Sequence, residues 1–131
     1  IRNPDTKNGI IMVVQISERA FSHEVLDAQT PVLVNFWAPW CGICRLLNPV
    51  LNRIQTEWGQ TIKVVSINAD QSLKLANAYR LRTLPTVILF NQGRVQNRIE
   101  GFHSAEDLYR QLEVSLSGTR VADAIDLETS R

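Results

Sequence analysis

The chain has 131 residues, enough for one domain to bury a core without disulfide staples or a structural metal. Hydrophobic residues at 44% and charged residues at 21% exclude a wholly disordered chain, and no apolar run approaches the roughly 20 residues of a membrane helix. Fourteen basic against thirteen acidic residues leave a net charge of +1, so neither nucleic acid nor a membrane surface is expected as a partner.

Residues 1–11 open on a polar stretch with Pro4 and Gly9 and read as a flexible N-terminal extension or tag. Ile10 to Ile16, rich in Ile and Val, predicts a strand. Ser17 then reads as an N-cap with Glu18 in the first turn. Phe21, Val25 and Leu26 at helical spacing predict a helix over Glu18 to Ala28. Pro31 to Trp37 is a near-continuous apolar run, the mark of a strand buried on both faces. From Cys41 a long helix is expected through Leu46, Leu47, Val50, Leu51, Ile54 and Trp58, kinked at Pro49 and capped by Gly59. Thr61 to Ile67 is a further buried strand, and Ser72 to Tyr79 a short helix. Pro85 to Phe90 and Arg94 to Ile99 form a hairpin around Asn91-Gln92-Gly93. Ser104 and Asp107 resemble a capping box for a last helix that Gly118 closes. Residues 119–131 remain as a C-terminal tail, in which Val121, Ala124 and Ile125 suit one weak amphipathic turn or two. The order β-α-β-α-β-α-β-β-α predicts an α/β fold: a mixed five-stranded sheet, mostly parallel crossovers with an antiparallel edge, flanked by four helices.

The chain holds two cysteines, Cys41 and Cys44, where a buried strand gives way to a helix. Unpaired N–H groups and a partial positive charge at a helix start stabilise a thiolate, the form that attacks disulfides. Two cysteines at this spacing can close a small ring, one attacking and the other releasing a substrate. Apolar filler, half of a zinc site and a cluster shared between two chains are the competing readings. Zinc wants four ligands, and only His23 and His103 remain, in no ligand spacing. C-x-x-C beside a βαβ pattern favours redox chemistry, so no metal is expected.

The run Phe36-Trp37-Ala38-Pro39-Trp40-Cys41-Gly42-Ile43-Cys44-Arg45 resembles the active-site segment of the thioredoxin family. Pro49, the loop Leu84-Pro85-Thr86, the Phe90 to Val95 hairpin and Gly101 extend the resemblance in order over about Met12 to Ser117, giving residues 12–118 as the domain. It implies a thioredoxin fold, with Cys41 as the exposed nucleophile and Cys44 as the buried resolving cysteine. Trp40 would lie beside the site and Trp37 beneath it. Pro85 would be cis, with the backbone of Leu84 pairing with an extended substrate. Gly42, Ile43, Leu84, Gly101 and Phe102 would form an apolar docking face, with core packing as the other reading of Phe102.

Three positions depart from the family pattern. Asn35 stands where the family typically has a buried aspartate, and Ser66 where a lysine accompanies it; Ile43 replaces a proline between the cysteines. Asn35 cannot take a proton, so a slower resolving step and a more stable fold are expected. Ile43 frees the loop φ and adds an N–H, which suggests a potential above the roughly −270 mV of thioredoxin. Arg45 favours the thiolate or is simply solvated, and Glu100 places a negative charge at the docking face or is a solvated strand end. The resemblance thus implies a protein disulfide reductase, needing no cofactor beyond its own Cys41–Cys44 dithiol. Its partners would be protein disulfides and an upstream thiol reductase such as a thioredoxin reductase. A cytoplasmic monomer is expected, since a lone CxxC suits a reducing compartment. The alternatives are a binding or redox-sensing module of the same fold, and an oxidase or isomerase role suggested by Ile43.

Overall fold

In the computed structural model, residues 6–7, 10–11 and 13–129 are described, with side chains over residues 13–117. The central sheet is built from β3 (Val14–Gln15), β4 (Val32–Trp37), β5 (Lys63–Asn68), β6 (Thr86–Asn91) and β7 (Arg94–Ile99), in the order β3-β5-β4-β6-β7. The pairs β3–β5 and β4–β5 are parallel, while β4–β6 and β6–β7 are antiparallel. The sheet is mixed and five-stranded as the element order predicts, but the single antiparallel edge expected from the hairpin is corrected: β6 runs against β4 as well as β7, so the connection through α3 does not return the chain parallel to β4. The helices are α1 (Gly42–Leu46), α2 (Asn48–Trp58), α3 (Leu73–Ala78) and α4 (Ala105–Thr129).

The alternation of side chains along each strand sorts the core into two layers. Leu33, Val64, Val87 and Leu89 pack with Leu47, Ile54 and Trp58 and with Leu108, Leu112 and Leu116 of α4. Val32, Val34, Phe36, Val65, Ile67, Ile88 and Phe90 pack on the other side with Phe21 and Val25, flanked by Leu75 and Tyr79. β4 is therefore buried on both faces, as its apolar run requires. Asn35 and Ser66, opposite each other in the β4–β5 register, share the face of Leu33 and Val64.

Several elements differ from the sequence reading. The stretch Ile10 to Ile16 is not one strand. Ile10–Ile11 (β2) pairs antiparallel with Thr6–Lys7 (β1) in a separate ribbon, and only Val14–Gln15 joins the main sheet; Met12 and residues 1–5 and 8–9 lie outside the described residues. The expected helix over Glu18 to Ala28 is a π-helical segment, Ser22–Leu26, closed by the bond from Asp27 N to Ser22 O at 3.0 Å. Ser17 does cap the preceding turn, accepting from Ala20 N at 3.2 Å. Glu18 caps a different element: its carboxylate accepts from Leu75 N at 3.0 Å, in the first turn of α3.

The long helix breaks at Leu47 rather than bending at Pro49, because Pro49 supplies no N–H and is tolerated in the first turn of a new helix. Gly118 does not close the last helix: the α4 backbone runs on through it to Thr129, across most of the expected tail, while Ser130 and Arg131 and the side chains from Gly118 onward lie outside the described residues. A lone glycine costs a helix about 1 kcal/mol, and no proline follows to enforce a stop. Ser104 caps α4 through Asp107 N at 3.1 Å, and the Asp107 carboxylate reaches back to His103 N at 3.2 Å. The β6–β7 turn has positive φ at both central residues, Gln92 (54°) and Gly93 (77°), the backbone of a tight hairpin.

Side-chain clamps tie the layers together. The Tyr109 phenol on α4 donates to Glu57 on α2 at 2.6 Å. This bond raises the Tyr109 pKa to about 12 and, with Arg53 beside it, lowers that of Glu57. Arg98 on β7 donates to the main-chain carbonyl of Tyr79, to that of Arg80 at 2.8 Å, and to the Glu100 carboxylate at 3.3 Å. It thereby covers carbonyls at the C-terminal end of α3, just before the loop that leads to Pro85. Arg98→Ala is expected to cost about 1–3 kcal/mol in urea unfolding, because those carbonyls lose a charged donor.

Candidate functional site

The two cysteines sit where β4 ends and α1 begins. Cys41 is the N-cap of α1, and Cys44 lies one turn later. They form a disulfide with Cα atoms 5.4 Å apart, inside the span a disulfide can bridge. The short length of α1 does not remove the helix-start effect at Cys41, which is confined to the first turn. The exposed position expected for Cys41 is corrected: the residue is 5% exposed against 3% for Cys44. Both belong to a small cluster with Ala38, flanked by Trp37, Ile43 and Leu84, and this packing buries the first cysteine as well as the second.

The Leu84–Pro85 peptide bond is cis, as the resemblance implies. The Leu84 carbonyl oxygen lies 3.6 Å from Cys41 Sγ, close enough to accept from that sulfur when it carries a hydrogen. Trp40 is 69% exposed beside the pair, and its indole N–H donates to Asp70 at 3.2 Å. Asp70 is held in turn by Asn68, whose side chain accepts from its main-chain N–H at 2.9 Å. Trp37 is half-buried and donates to Gln15 Oε1 at 2.9 Å.

Gly42 and Gly101 are exposed, Ile43 and Leu84 half-buried. Pro85 immediately precedes β6, and Gly101 follows the end of β7 by two residues. Pro85 is buried, and Phe102 turns into the core with Ile99 and Leu108, so it adds no exposed surface to a docking face. Gly101 has φ 69°, a backbone state that glycine adopts without steric cost. Glu100 is paired with Arg98 rather than standing as an isolated negative charge. Arg45 is exposed and donates to the Pro39 carbonyl at 3.4 Å.

Asn35 and Ser66, opposite each other on β4 and β5, are each 2% exposed. The Asn35 amide donates to Ser66 Oγ at 3.3 Å, and Asn35 Oδ1 has no hydrogen-bond partner. A cavity of about 410 Å³ opens beside Ser66, lined also by Gln15, Trp37, Cys44, Arg45 and Asn48 among others. Among the described residues, no group of three or more His, Cys, Asp or Glu could hold a metal ion, and no helix is long and apolar enough to cross a membrane.

Asp70, Gln15 and Asn48 were not singled out by sequence reasoning. The first two meet their tryptophans across 30 and 22 residues, and nothing local to the sequence marks such pairs. Asn68 and Asp70 do carry the signature of an Asx turn, which marks the loop but not its partner.

A disulfide closed across the first turn of a helix, with a cis-proline loop against it, on this sheet, defines the thiol–disulfide oxidoreductase class. The family model described as Thioredoxin matches residues 12–114. Thioredoxin 1 of Nostoc sp. is 39% identical over 102 residues, covering 78% of this chain and 95% of the relative. Thioredoxin of Synechocystis sp. is 40% identical over 87 residues, covering 66% and 81%. Thioredoxin M4, chloroplastic, of Arabidopsis thaliana is 37% identical over 109 residues, covering 83% of this chain and 56% of the longer relative. The chain belongs to the thioredoxin family, and thiol–disulfide exchange is its chemistry. Family membership implies protein disulfides as substrates and a reductase that renews the dithiol.

Proposed function

We propose that the protein reduces protein disulfides by attack of Cys41 and resolution by Cys44, more slowly and at a less negative potential than a typical thioredoxin. The observation that carries this reading is the Cys41–Cys44 pair at the start of α1 with the Leu84 carbonyl against Cys41. The Cys41 thiolate, favoured by the free N–H groups of α1, attacks one sulfur of the target. That S–S bond breaks, its electron pair leaves on the second target sulfur, and a mixed disulfide with Cys41 remains. The Cys44 thiolate then attacks Cys41 Sγ. The first target sulfur leaves as a thiolate and is protonated, and Cys41–Cys44 is left oxidised. No cofactor is required, because the dithiol carries both electrons.

The lower rate rests on Asn35 and Ser66, neither of which titrates as an acid–base pair would. The less negative potential rests on Ile43, which brings a main-chain N–H and a free φ where proline would fix the turn. Each 30 mV corresponds to about 1.4 kcal/mol for this two-electron couple, so a small change in loop energetics moves it measurably. Trp40, Gly42, Ile43, Leu84 and Gly101 would form the docking surface around buried Pro85. The main chain of Leu84 would receive an extended target segment, as in strand addition. We further read residues 12–118 as the working domain, residues 1–11 and 119–131 as extensions, and the protein as a cytoplasmic monomer renewed by a thioredoxin reductase.

Insulin reduction, driven by dithiothreitol and separately by a reductase system, tests the reading. Turnover is expected for the unaltered protein, and none above background for Cys41→Ser. The second reading, a binding or redox-sensing module, draws on the neutral Asn35 bonded to Ser66, which shares a cavity with Cys44. Equal, background rates for both proteins would favour it and end the first.

A further inference from the structure

We infer that the Ser66 hydroxyl is the hydrogen-bond donor that stabilises the Cys44 thiolate, and that Asn35 is the positioning residue that holds it to that task. The inference rests on the two-cysteine cycle proposed above and assigns what assists its second step. Ser66 on β5 and Cys44 on α1 line one cavity of about 410 Å³. The cavity is roomy enough for several waters. Its lining also includes the exposed residues Arg45 and Asn48, so it reaches solvent and offers the Cys44 proton a way out.

The direction of the buried hydrogen bond decides the role of Ser66. Asn35 Nδ2 donates to Ser66 Oγ at 3.3 Å, so the oxygen is engaged as an acceptor and its own hydrogen is left to donate. An oxygen that already accepts is a better donor in turn. The arrangement is unfavourable as a purely structural device, since Asn35 Oδ1 is buried without a partner and such groups are expensive. What the pair supplies is a fixed O–H beside the cavity that Cys44 also lines. A hydrogen bond to the ionised form favours ionisation. Cys44–SH gives its proton to water in the cavity, Ser66 O–H donates to the resulting thiolate directly or across one water, and the thiolate then attacks Cys41 Sγ. Around Cys44, the charged or titratable groups are Cys41 on the same helix and Arg45 at the cavity rim. The packed strands contribute Trp37, Ser66 and Gln15, none of which titrates in the working range, with the neutral Asn35 amide on Ser66.

The test is the pH dependence of Cys44 alkylation in a Cys41→Ser background, together with the rate at which a preformed Cys41 mixed disulfide is resolved. Ser66→Ala is expected to raise the Cys44 midpoint by about one pH unit and to slow resolution about tenfold at neutral pH. Ser66→Thr, which keeps the hydroxyl, is expected to restore both. Asn35→Ala, which keeps the hydroxyl but releases it, is expected to move the midpoint part of the way. The Cys41 midpoint, read in a Cys44→Ser background, is expected to stay put in all of them. An unmoved Cys44 midpoint in Ser66→Ala overturns the role of Ser66, as does a shift that threonine fails to reverse or that Cys41 shares. An unmoved midpoint in Asn35→Ala overturns the positioning role. Insulin reduction by the unaltered protein separates the two levels: if it proceeds through Cys41 while Ser66→Ala changes nothing, only the inference falls, and if it does not proceed, the cycle falls and the inference with it.

Discussion

Asn35→Asp is expected to speed the resolving step by about 10²-fold at neutral pH and to destabilise the fold by about 3–4 kcal/mol at pH 8. The gain follows from giving Cys44 a group that can accept its proton. General-base assistance is worth roughly 10²–10⁴-fold, and the low end is expected because the new carboxylate would also draw the Ser66 hydroxyl toward itself. The loss follows from the site. Asn35 is 2% exposed, no cation lies within reach in the described hydrogen bonds and ion pairs, and its Oδ1 has no donor. A carboxylate there would be desolvated with one hydroxyl for company.

The sign of the pH dependence is fixed by the same burial. Burial raises the folded-state pKa of the new carboxyl above its unfolded value of roughly 3.9. Below that value the group is neutral in both states, and the variant should match the unaltered protein closely, since a neutral carboxyl and an amide are nearly isosteric. As pH rises the unfolded state ionises first, so stability falls by about 1.4 kcal/mol per unit until the folded pKa is passed. Urea unfolding of both proteins at pH 4 and pH 8 reads this directly, alongside single-turnover resolution of a mixed disulfide. A deficit that is equal at the two pH values, or a resolving rate that does not change, would remove the account of Asn35 given above.

What was legible in the sequence follows from how local each signal is. β4 and β6 are marked by continuous apolar runs, and burial on both faces leaves little else for them to be. The Cys41–Cys44 spacing closes a ring within one helical turn, so its chemistry needs no knowledge of the rest of the chain. Asn35 and Ser66 could be singled out by departure from a family pattern. Their mutual hydrogen bond depends on the parallel register of β4 and β5, which strand composition does not specify. The Ile10 to Ile16 run suited one strand, but which partner each half takes is a tertiary choice, and the two halves take different ones. Glu18 was readable as a first-turn acid. That it serves α3, 57 residues on, is decided by packing. Phe21 and Val25 keep the helical spacing that predicted a helix, yet the closure from Asp27 to Ser22 is wider than an α-turn and leaves no trace in the apolar pattern. Burial of Cys41 was missed because exposure depends on what packs over a residue, here the Ala38, Ile43 and Leu84 neighbourhood.

Phe90→Ala is expected to remove about 3–5 kcal/mol of stability while leaving the redox site's chemistry intact in the molecules that stay folded. Phe90 is 1% exposed on the β6 face turned away from Asn35 and Ser66. Its ring meets Phe21 at 5.6 Å and 78° and Tyr79 at 5.4 Å and 85°, both edge-to-face. Tyr79 also lies against Phe21 at 5.8 Å and Phe36 at 6.5 Å, so the four rings join β4, β6, α3 and the π-helical segment. Alanine would forfeit the transfer energy of the ring, its edge-to-face contacts and the packing around the space it vacates. Phe90→Leu, which fills most of that space, is expected to cost under about 1.5 kcal/mol. Set against the roughly 5–15 kcal/mol of a typical domain, the alanine change takes about a fifth at the least of what holds the fold. The Asn35–Ser66 bond lies on the opposite face of the sheet, and Leu84 is where this cluster meets the Cys41–Cys44 pair. Insulin reduction, scaled to the folded fraction from urea titration, should therefore match the unaltered protein. A loss of activity beyond that fraction would mean that the aromatic cluster also sets the Leu84–Pro85 loop against Cys41, since Tyr79 and Arg80 are the residues Arg98 holds just ahead of that loop.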